Sequence, residues 1–206
     1  KALEHCSAFL KTKIKIRWIE ATEIKTLNQA EEALKGISGI IVPGGFGSRG
    51  TEGKILCIEH ARKKNIPFLG LCFGLQLASI EFARNVLGLK EANSTEMFAE
   101  TKHPVIDILP EQKEIKNMGG TMRLGEHIVS IKKNTKAYEA YKKSEVKERF
   151  RHRYEVNPEY IQQLEKSGLV FSGISQEDSR IMQILELPSH KFFLATQFHP
   201  EFTSRP

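Results

Sequence analysis

The segment that constrains this chain most is Ile66-Pro67-Phe68-Leu69-Gly70-Leu71-Cys72-Phe73-Gly74-Leu75-Gln76. An apolar run of strand type reaches a cysteine with glycines two places before and after it, and an amphipathic helical pattern follows at once. This is the sulfur counterpart of the G-x-S-x-G elbow, in which a tight strand-to-helix turn exposes a nucleophile. The glycines permit a strained turn and let a substrate approach the backbone closely. A free thiol has a pKa of about 8.5, so only a few per cent is thiolate near neutrality. At a helix N-terminus the unpaired N–H groups and the macrodipole favour the anion. A small buried cysteine at the end of a core strand is the competing reading, and the rest of the chain has to decide between them.

With 206 residues the chain suits one sizeable domain that buries a core without disulfides or metals. Its 40% hydrophobic and 27% charged residues are those of an ordinary globular protein, so a disordered or fibrous chain is excluded. No apolar run approaches a membrane span and no signal-peptide pattern opens the chain, so no membrane partner is expected. Cys6, Cys57 and Cys72 are odd in number and form no C-x-x-C pair. That argues against a disulfide framework or a metal site and for a reducing cytoplasm.

The net charge of +6 and a pI near 9.2 raise nucleic acid as a partner. The excess is spread thinly, however. Lys11 to Arg17 alternates basic with apolar residues, as an edge strand with one wet face would. Lys142 to Arg153 mixes its bases with Glu145 and Glu148, followed by Glu155, and reads as a solvated helix face. No RNA-binding aromatic signature accompanies either, so nucleic-acid binding ranks below catalysis.

Strands and helices alternate along the first half. Ile14 to Ile19 reads as a strand, Asn28 to Leu34 as a helix closed by Gly36, and Gly39 to Val42 as a buried strand running into Pro43-Gly44-Gly45-Phe46-Gly47. Thr51 to Lys64 reads as a helix with Thr51 as N-cap. Phe68 to Leu71 is the next strand, and Phe73 to Leu87 the helix behind the elbow, closed by Gly88. Strands dominate the second half: Val105 to Leu109, Met122 to Ile131, Leu169 to Ile174, Ile181 to Leu187 and Phe192 to Phe198. Asn157-Pro158 opens a helix that Gly168 stops. The expected architecture is α/β: a mostly parallel central sheet covered by helices on both faces, with extra strands in the second half.

A cysteine nucleophile needs a base, and the base needs an orienting group. His60 lies in the basic end of a helix, and His5, His103, His127 and His190 sit in polar or turn-like contexts; all five read as surface residues. His152 is flanked by arginines, with no orienting carboxylate read beside it. His199 follows the apolar run Phe192 to Phe198 and precedes Pro200-Glu201. Proline pushes the residue before it into an extended conformation, so His199 and Glu201 can face the same way. A carboxylate there fixes the imidazole tautomer and stabilises imidazolium. A histidine in a strand-end turn is the plain alternative. An oxyanion hole would draw on the Phe73 N–H by the elbow's own geometry, with a second donor from Gly45. That glycine loop can also cradle phosphate, but it lacks the Lys-Ser/Thr of a P-loop and the G-x-G-x-x-G spacing.

Taken together, Pro43-Gly44-Gly45-Phe46-Gly47, Gly70-Leu71-Cys72-Phe73-Gly74-Leu75-Gln76 and Phe198-His199-Pro200-Glu201-Phe202 resemble the three hallmark segments of class I glutamine amidotransferases. Four further segments resemble the glutaminase domains of the CTP synthase family: Arg49 to Gly53, Ala92 to Glu96, Met118 to Gly125 and Arg151 to Asn157. The likeness runs over nearly the whole chain and implies the flavodoxin-like amidotransferase fold. It implies Cys72 as nucleophile, His199 as base and then acid, and Glu201 as orienting carboxylate. Gly45, Phe73, Gly74, Leu75 and Gln76 match the family's substrate-contacting segment, and Glu96 and Arg153 match the residues that hold the amino acid's head group. A zwitterion does need an acceptor for its ammonium and a guanidinium fork for its carboxylate. Without the likeness, Glu96 reads as a helix-flanking surface acid and Arg153 as part of a basic helix face.

The likeness also implies L-glutamine as substrate and no cofactor or metal in this domain. For the longer enzyme it implies a synthetase domain that uses ATP and magnesium to aminate UTP, GTP as allosteric activator, and a homotetramer. The loop Gly47 to Glu52 is where a contribution to the GTP response is expected; its plain alternative is a helix-entry loop. Phe73 and Leu75 stand where the family often has other apolar residues. The family's domain has one more strand ahead of Lys1 and continues past Pro206, so residues 1–206 are expected to be one glutaminase domain cut at both ends. Two other readings stay open at this stage: an amidotransferase feeding a different acceptor, as in GMP synthesis, and a non-catalytic binding domain that keeps the fold.

Overall fold

The structure, a computed structural model, describes residues 1–109 and 122–206. Its helices are α1 (Ala2–Phe9), α2 (Leu27–Ala33), α3 (Thr51–Lys63), α4 (Phe73–Asn85), α5 (Lys136–Tyr141) and α6 (Pro158–Lys166). The first strands are β1 (Ile40–Val42), β2 (Phe68–Leu71), β3 (Ala92–Ser94), β4 (His103–Asp107) and β5 (Arg123–Ile131). The rest are β6 (Glu145–His152), β7 (Glu155–Val156), β8 (Val170–Ser175), β9 (Met182–Glu186) and β10 (Phe193–Thr196). Single turns of tighter helix cover Ala21–Glu23 and Pro200–Phe202.

The main sheet has the order β1-β2-β10-β9-β8-β5-β6, and β3, β4 and β7 make a second, three-stranded sheet. The α/β class holds, but the main sheet is mixed rather than mostly parallel. Only β1–β2 and β2–β10 pair in parallel; β10–β9, β9–β8, β8–β5 and β5–β6 are antiparallel. The helical crossovers that force parallel pairing occur in the first half, whereas β8, β9 and β10 follow one another through short loops and return antiparallel.

Local chemistry explains most boundaries. Thr26 and Gln29 form a reciprocal capping box at α2, and Asn157 accepts from the Glu159 N–H ahead of the proline that starts α6. The cap of α3 is Gly50 at φ +69°, not Thr51, whose hydroxyl instead donates to the Ser48 carbonyl at 2.8 Å. Two expectations fail for the same reason, which is that a strand is defined by its neighbour. Residues 12–20 form no strand, and Trp18 is 88% exposed, because no described strand lies alongside to pair with them. Lys142 to Arg153 is not a helix face but mostly strand β6. Glu148, Phe150 and His152 turn inward while Lys147, Arg149 and Arg151 turn out. With two of the three inward residues polar, the hydrophobic period of two is hidden. The Met118 to Thr121 part of the Met118 to Gly125 segment lies outside the described residues.

Helix α4 is the spine of the core. Every residue from Phe73 to Ala83 is buried, including Glu81, which Arg62 holds with three hydrogen bonds of 2.7 to 3.1 Å. A helix buried all round lies inside the molecule rather than on its surface. Phe68 of β2 and Phe193 of β10 pack at 4.4 Å between ring centroids, fixing the central parallel strands. Side chains of this size each contribute about 1.5–3 kcal/mol when fully buried. β1, β2 and β10 therefore end at one edge of the sheet. Ligands in α/β folds gather at the carboxyl ends of such strands.

Candidate active site

Cys72 closes β2 with φ +52° and ψ −99°, a left-handed conformation that non-glycine residues rarely adopt. The surroundings hold it there. Its N–H donates to the Thr196 carbonyl at 2.7 Å, and its own carbonyl accepts from the Leu75 N–H at 3.0 Å and the Gln76 N–H at 3.4 Å. The flanking glycines are required by close crossing. A Cβ on Gly74 would collide with the Val42 carbonyl oxygen, and one on Gly70 would lie 2.8 Å from the Gly74 backbone and the Ala195 Cβ.

His199 begins the turn after β10, its N–H tied to the Arg149 carbonyl at 2.9 Å. Its Nδ1 lies 2.7 Å from Glu201 Oε1. An ionised carboxylate only accepts, so Nδ1 carries the proton and Nε2 presents a lone pair. The ring stacks on Phe202 at 4.3 Å between centroids, nearly parallel to it, which fixes its plane. Gly44, just past β1, joins the two halves: a Cβ there would sit 2.8 Å from His199 Cε1 and 3.7 Å from Cys72 Cβ. Three chain segments thus converge on one point, each delivered by a parallel strand.

The elbow alone predicts a thiol tilted towards its anion, and burial opposes this. With Cys72 only 5% exposed, burial pushes the thiol up to about 12. The Phe73 N–H and the Gln197 amide pull in the other direction, while the Glu201 and Glu155 carboxylates add to the rise. The resting site therefore holds a neutral thiol.

Glu96 stands after β3 and approaches from the second sheet. Its Oε1 accepts from the Gly47 N–H at 3.3 Å, so it pins the glycine loop that follows β1. Burial raises its carboxyl above the usual range, and the Gly47 N–H and the Arg153 guanidinium draw it back. Arg153 lies in the turn between β6 and β7, close enough to Glu96 and Tyr154 for its charge to act on both. Glu96 and Arg153 are thus brought together, although neither is near the other in sequence.

Two members of the expected substrate segment also make hydrogen bonds within the elbow. The Leu75 and Gln76 N–H groups are engaged by the Cys72 carbonyl, and the Gln76 side chain turns inward to donate to the Tyr154 carbonyl at 2.9 Å. Both support the elbow rather than face open space. Gly45 packs against the Phe73 ring, its would-be Cβ 3.4 Å away.

Sequence reasoning missed three buried polar groups. His152 does have a carboxylate: Glu155 Oε1 lies 2.8 Å from its Nε2 and also accepts from Arg123 Nε at 3.2 Å. Glu155 is only three residues on, so the spacing was available. Glu148 is buried and accepts from the Tyr141 hydroxyl at 2.7 Å. Gln197 sits behind Cys72 with its Nε2 3.6 Å from the sulfur. His60 and His190 are likewise buried rather than surface residues, and His190 Nε2 lies 3.1 Å from the Ala61 carbonyl oxygen. All three cysteines are free, and no described helix is long and apolar enough to cross a membrane.

The family description "Glutamine amidotransferase class-I" matches residues 1–206. Among curated proteins the chain is similar to the CTP synthase of Pyrococcus abyssi, at 59% identity over all of this chain and 38% of that protein. It is 53% identical to the CTP synthase of Bacillus subtilis, with the same coverage. The chain therefore spans about 38% of the length of the curated relatives it matches. Among solved structures it resembles the glutaminase domain of Trypanosoma brucei CTPS with bound acivicin. That match has a TM-score of 0.90 and 42% identity, and covers 98% of this chain and 78% of that one.

Proposed function

Because the chain belongs to the class I glutamine amidotransferase family, we propose that it hydrolyses L-glutamine to glutamate and ammonia through a thioester on Cys72. The observation that carries this reading is the meeting of Cys72 and His199 across Gly44, with Glu201 bound to the far side of the imidazole. A buried neutral thiol is a poor nucleophile until its proton leaves, and His199 Nε2 is the available acceptor. As Sγ attacks the amide carbon, its proton passes to Nε2, and the carbonyl oxygen gains charge facing the Phe73 and Gly45 N–H groups. Collapse of that intermediate expels ammonia, with the proton returned from Nε2 to the leaving nitrogen. Water then gives its proton to Nε2 as it attacks the thioester, and glutamate and the free thiol are restored. Glu201 keeps the tautomer and stabilises the imidazolium in both halves.

Glu96 and Arg153 bind the substrate's ammonium and carboxylate, respectively. Gly45, Phe73 and Gly74 form the wall along which glutamine lies; Leu75 and Gln76 contribute by holding the elbow. In the whole protein the ammonia serves the ATP- and magnesium-dependent amination of UTP to CTP by a synthetase domain, within a homotetramer activated by GTP. The names of the relatives and the share of their length that this chain spans support that assignment. The loop Gly47 to Glu52 is the segment we assign to the GTP response, since Gly47 is tied directly to Glu96.

The test is glutamate release by the whole protein carrying Cys72→Ser. Glutamine hydrolysis falls by about 10⁴-fold or more, while CTP formation from added ammonium chloride persists. Glutamine hydrolysis surviving in that variant would overturn the reading.

A further inference from the structure

We propose that Gln197 is a further catalytic residue of this site: its Nε2–H group binds the Cys72 sulfur as the sulfur becomes anionic, and Gln76 holds the amide in that orientation. The inference rests on the reading of Cys72 as nucleophile and adds to it a residue from the strand end beside it.

The orientation of both amides follows from a carbonyl. The Tyr154 oxygen can only accept, so the Gln76 atom 2.9 Å from it has to be the NH₂ nitrogen. That same nitrogen lies 3.5 Å from the Gln197 side chain, and the atom it faces there has to be the acceptor Oε1. The other end of the Gln197 amide, 3.6 Å from Cys72 Sγ, is therefore the donor. The Gln76 amide nitrogen donates both to the β6–β7 turn and to Gln197 Oε1, and Gln197 Nε2 in turn donates to the sulfur. Gln197 is fully buried and Gln76 nearly so, which leaves neither amide free to exchange partners with solvent.

The need for such a donor is visible around the sulfur. The Arg151 carbonyl oxygen, 3.9 Å from Sγ, suits the resting S–H but opposes the thiolate. The Glu201 and Glu155 carboxylates face the same sulfur with negative charge, Glu155 itself held by His152 and Arg123. His199 takes the proton across Gly44. Against those carboxylates, the Phe73 N–H and Gln197 are the donors acting on the sulfur. The Phe73 N–H is also the donor assigned to the substrate oxygen, so once glutamine binds, Gln197 remains as the donor dedicated to sulfur. Charge-assisted hydrogen bonds of this type are about twice as strong as neutral ones.

The experiment is peptide-resolved mass spectrometry of the whole protein during iodoacetamide labelling at one mildly alkaline pH, where the rate follows the thiolate fraction. It is run on Gln197→Met, which keeps the volume and removes the donor, and on Gln197→Glu, which keeps an acceptor for Gln76 but puts negative charge at the sulfur. Exposed Cys6 serves as the rate standard, and buried Cys57 stays unlabelled as long as the fold is intact. The expected result is a fall of about tenfold in Cys72 labelling for Gln197→Met, one pK unit, and a larger fall for Gln197→Glu. kcat for glutamine drops in parallel and KM stays within about twofold, a split that a general loosening of the fold would not give. If Cys57 becomes labelled in Gln197→Met, the result is read from Gln197→Glu. Unchanged Cys72 labelling and kcat in a folded variant would overturn the proposal, even with Cys72→Ser inactive. Activity surviving in Cys72→Ser would instead sink the nucleophile reading on which it rests.

Discussion

The elbow and the head-group corner of this site are built in opposite ways. The elbow occupies a few consecutive residues, Gly70 to Gly74, and its strained cysteine and helix start are local, although its glycines are there to let Val42 and Ala195 of the neighbouring strands pass close by. The corner is assembled from the loop after β1, the end of β3 and the β6–β7 turn, with Gly47, Glu96 and Arg153 meeting only through the fold. Where a function needs a reactive atom held rigidly, the chain uses a short motif on the parallel strands. Where it needs to recognise a charged substrate, it draws single residues from distant segments. The first arrangement should govern kcat and the second KM.

The largest effect on the kcat side of that division would come from Glu201→Ala. This change removes the tautomer clamp, and a fall of about 10²-fold or more in kcat is expected with little change in KM. Because the thiol itself is untouched, Cys72 should still be alkylated in the same sample. Unchanged turnover would take Glu201 out of the site. Arg153→Lys tests the corner. A planar fork gives way to a point charge, so KM for glutamine should rise about tenfold, the scale of one charge-assisted hydrogen bond, with kcat within about twofold. A fall confined to kcat would erase the contrast between the two regions.

A smaller effect concerns pH. Burial holds the Glu96 carboxyl above the ordinary carboxylate range. The ionised form binds ammonium, so affinity is full above its pKa and lost as pH falls through it. KM should therefore begin to rise on acidification at a higher pH than an ordinary glutamate would give, and Glu96→Gln should flatten that rise while elevating KM throughout. A KM profile in Glu96→Gln that still bends at the same pH would assign the titration elsewhere. The smallest effect lies in the scaffold: Gly70→Ala forces a methyl against Ala195 and the Gly74 backbone, at a cost of about 1–3 kcal/mol read as a lowered Tm.

The same contrast explains what was legible in the sequence. The elbow, α2, α6 and the strands β1, β2 and β10 carry local signals in glycine, proline, capping residues and continuous apolar runs, and they form where those signals stand. His199 and Glu201 do pair, but around a single tight helical turn at Pro200–Phe202 rather than along the extended segment that the proline suggested. Strand β6 hid its period because two of its three inward residues, Glu148 and His152, are polar, each satisfied by a partner that only the fold supplies. The Lys11 to Arg17 run shows the converse, a clean alternation with no described neighbour to pair with. Glu96 and Arg153 were visible only through likeness to a family, since neither has a spacing that implies a zwitterion. Gln197 was passed over because a lone amide near the end of a largely apolar run gives no periodic or charge signal, although it ends 3.6 Å from the sulfur.

The account stands on Cys72 as the atom that takes the acyl group from glutamine. Its most direct measurement is mass spectrometry of the whole protein after reaction with a glutamine analogue that carries an electrophilic carbon at the amide position. A single adduct on the peptide containing Cys72, absent from Cys72→Ala and suppressed by excess glutamine, is the predicted result. An adduct on Cys57 or Cys6 with Cys72 left unmodified would contradict it.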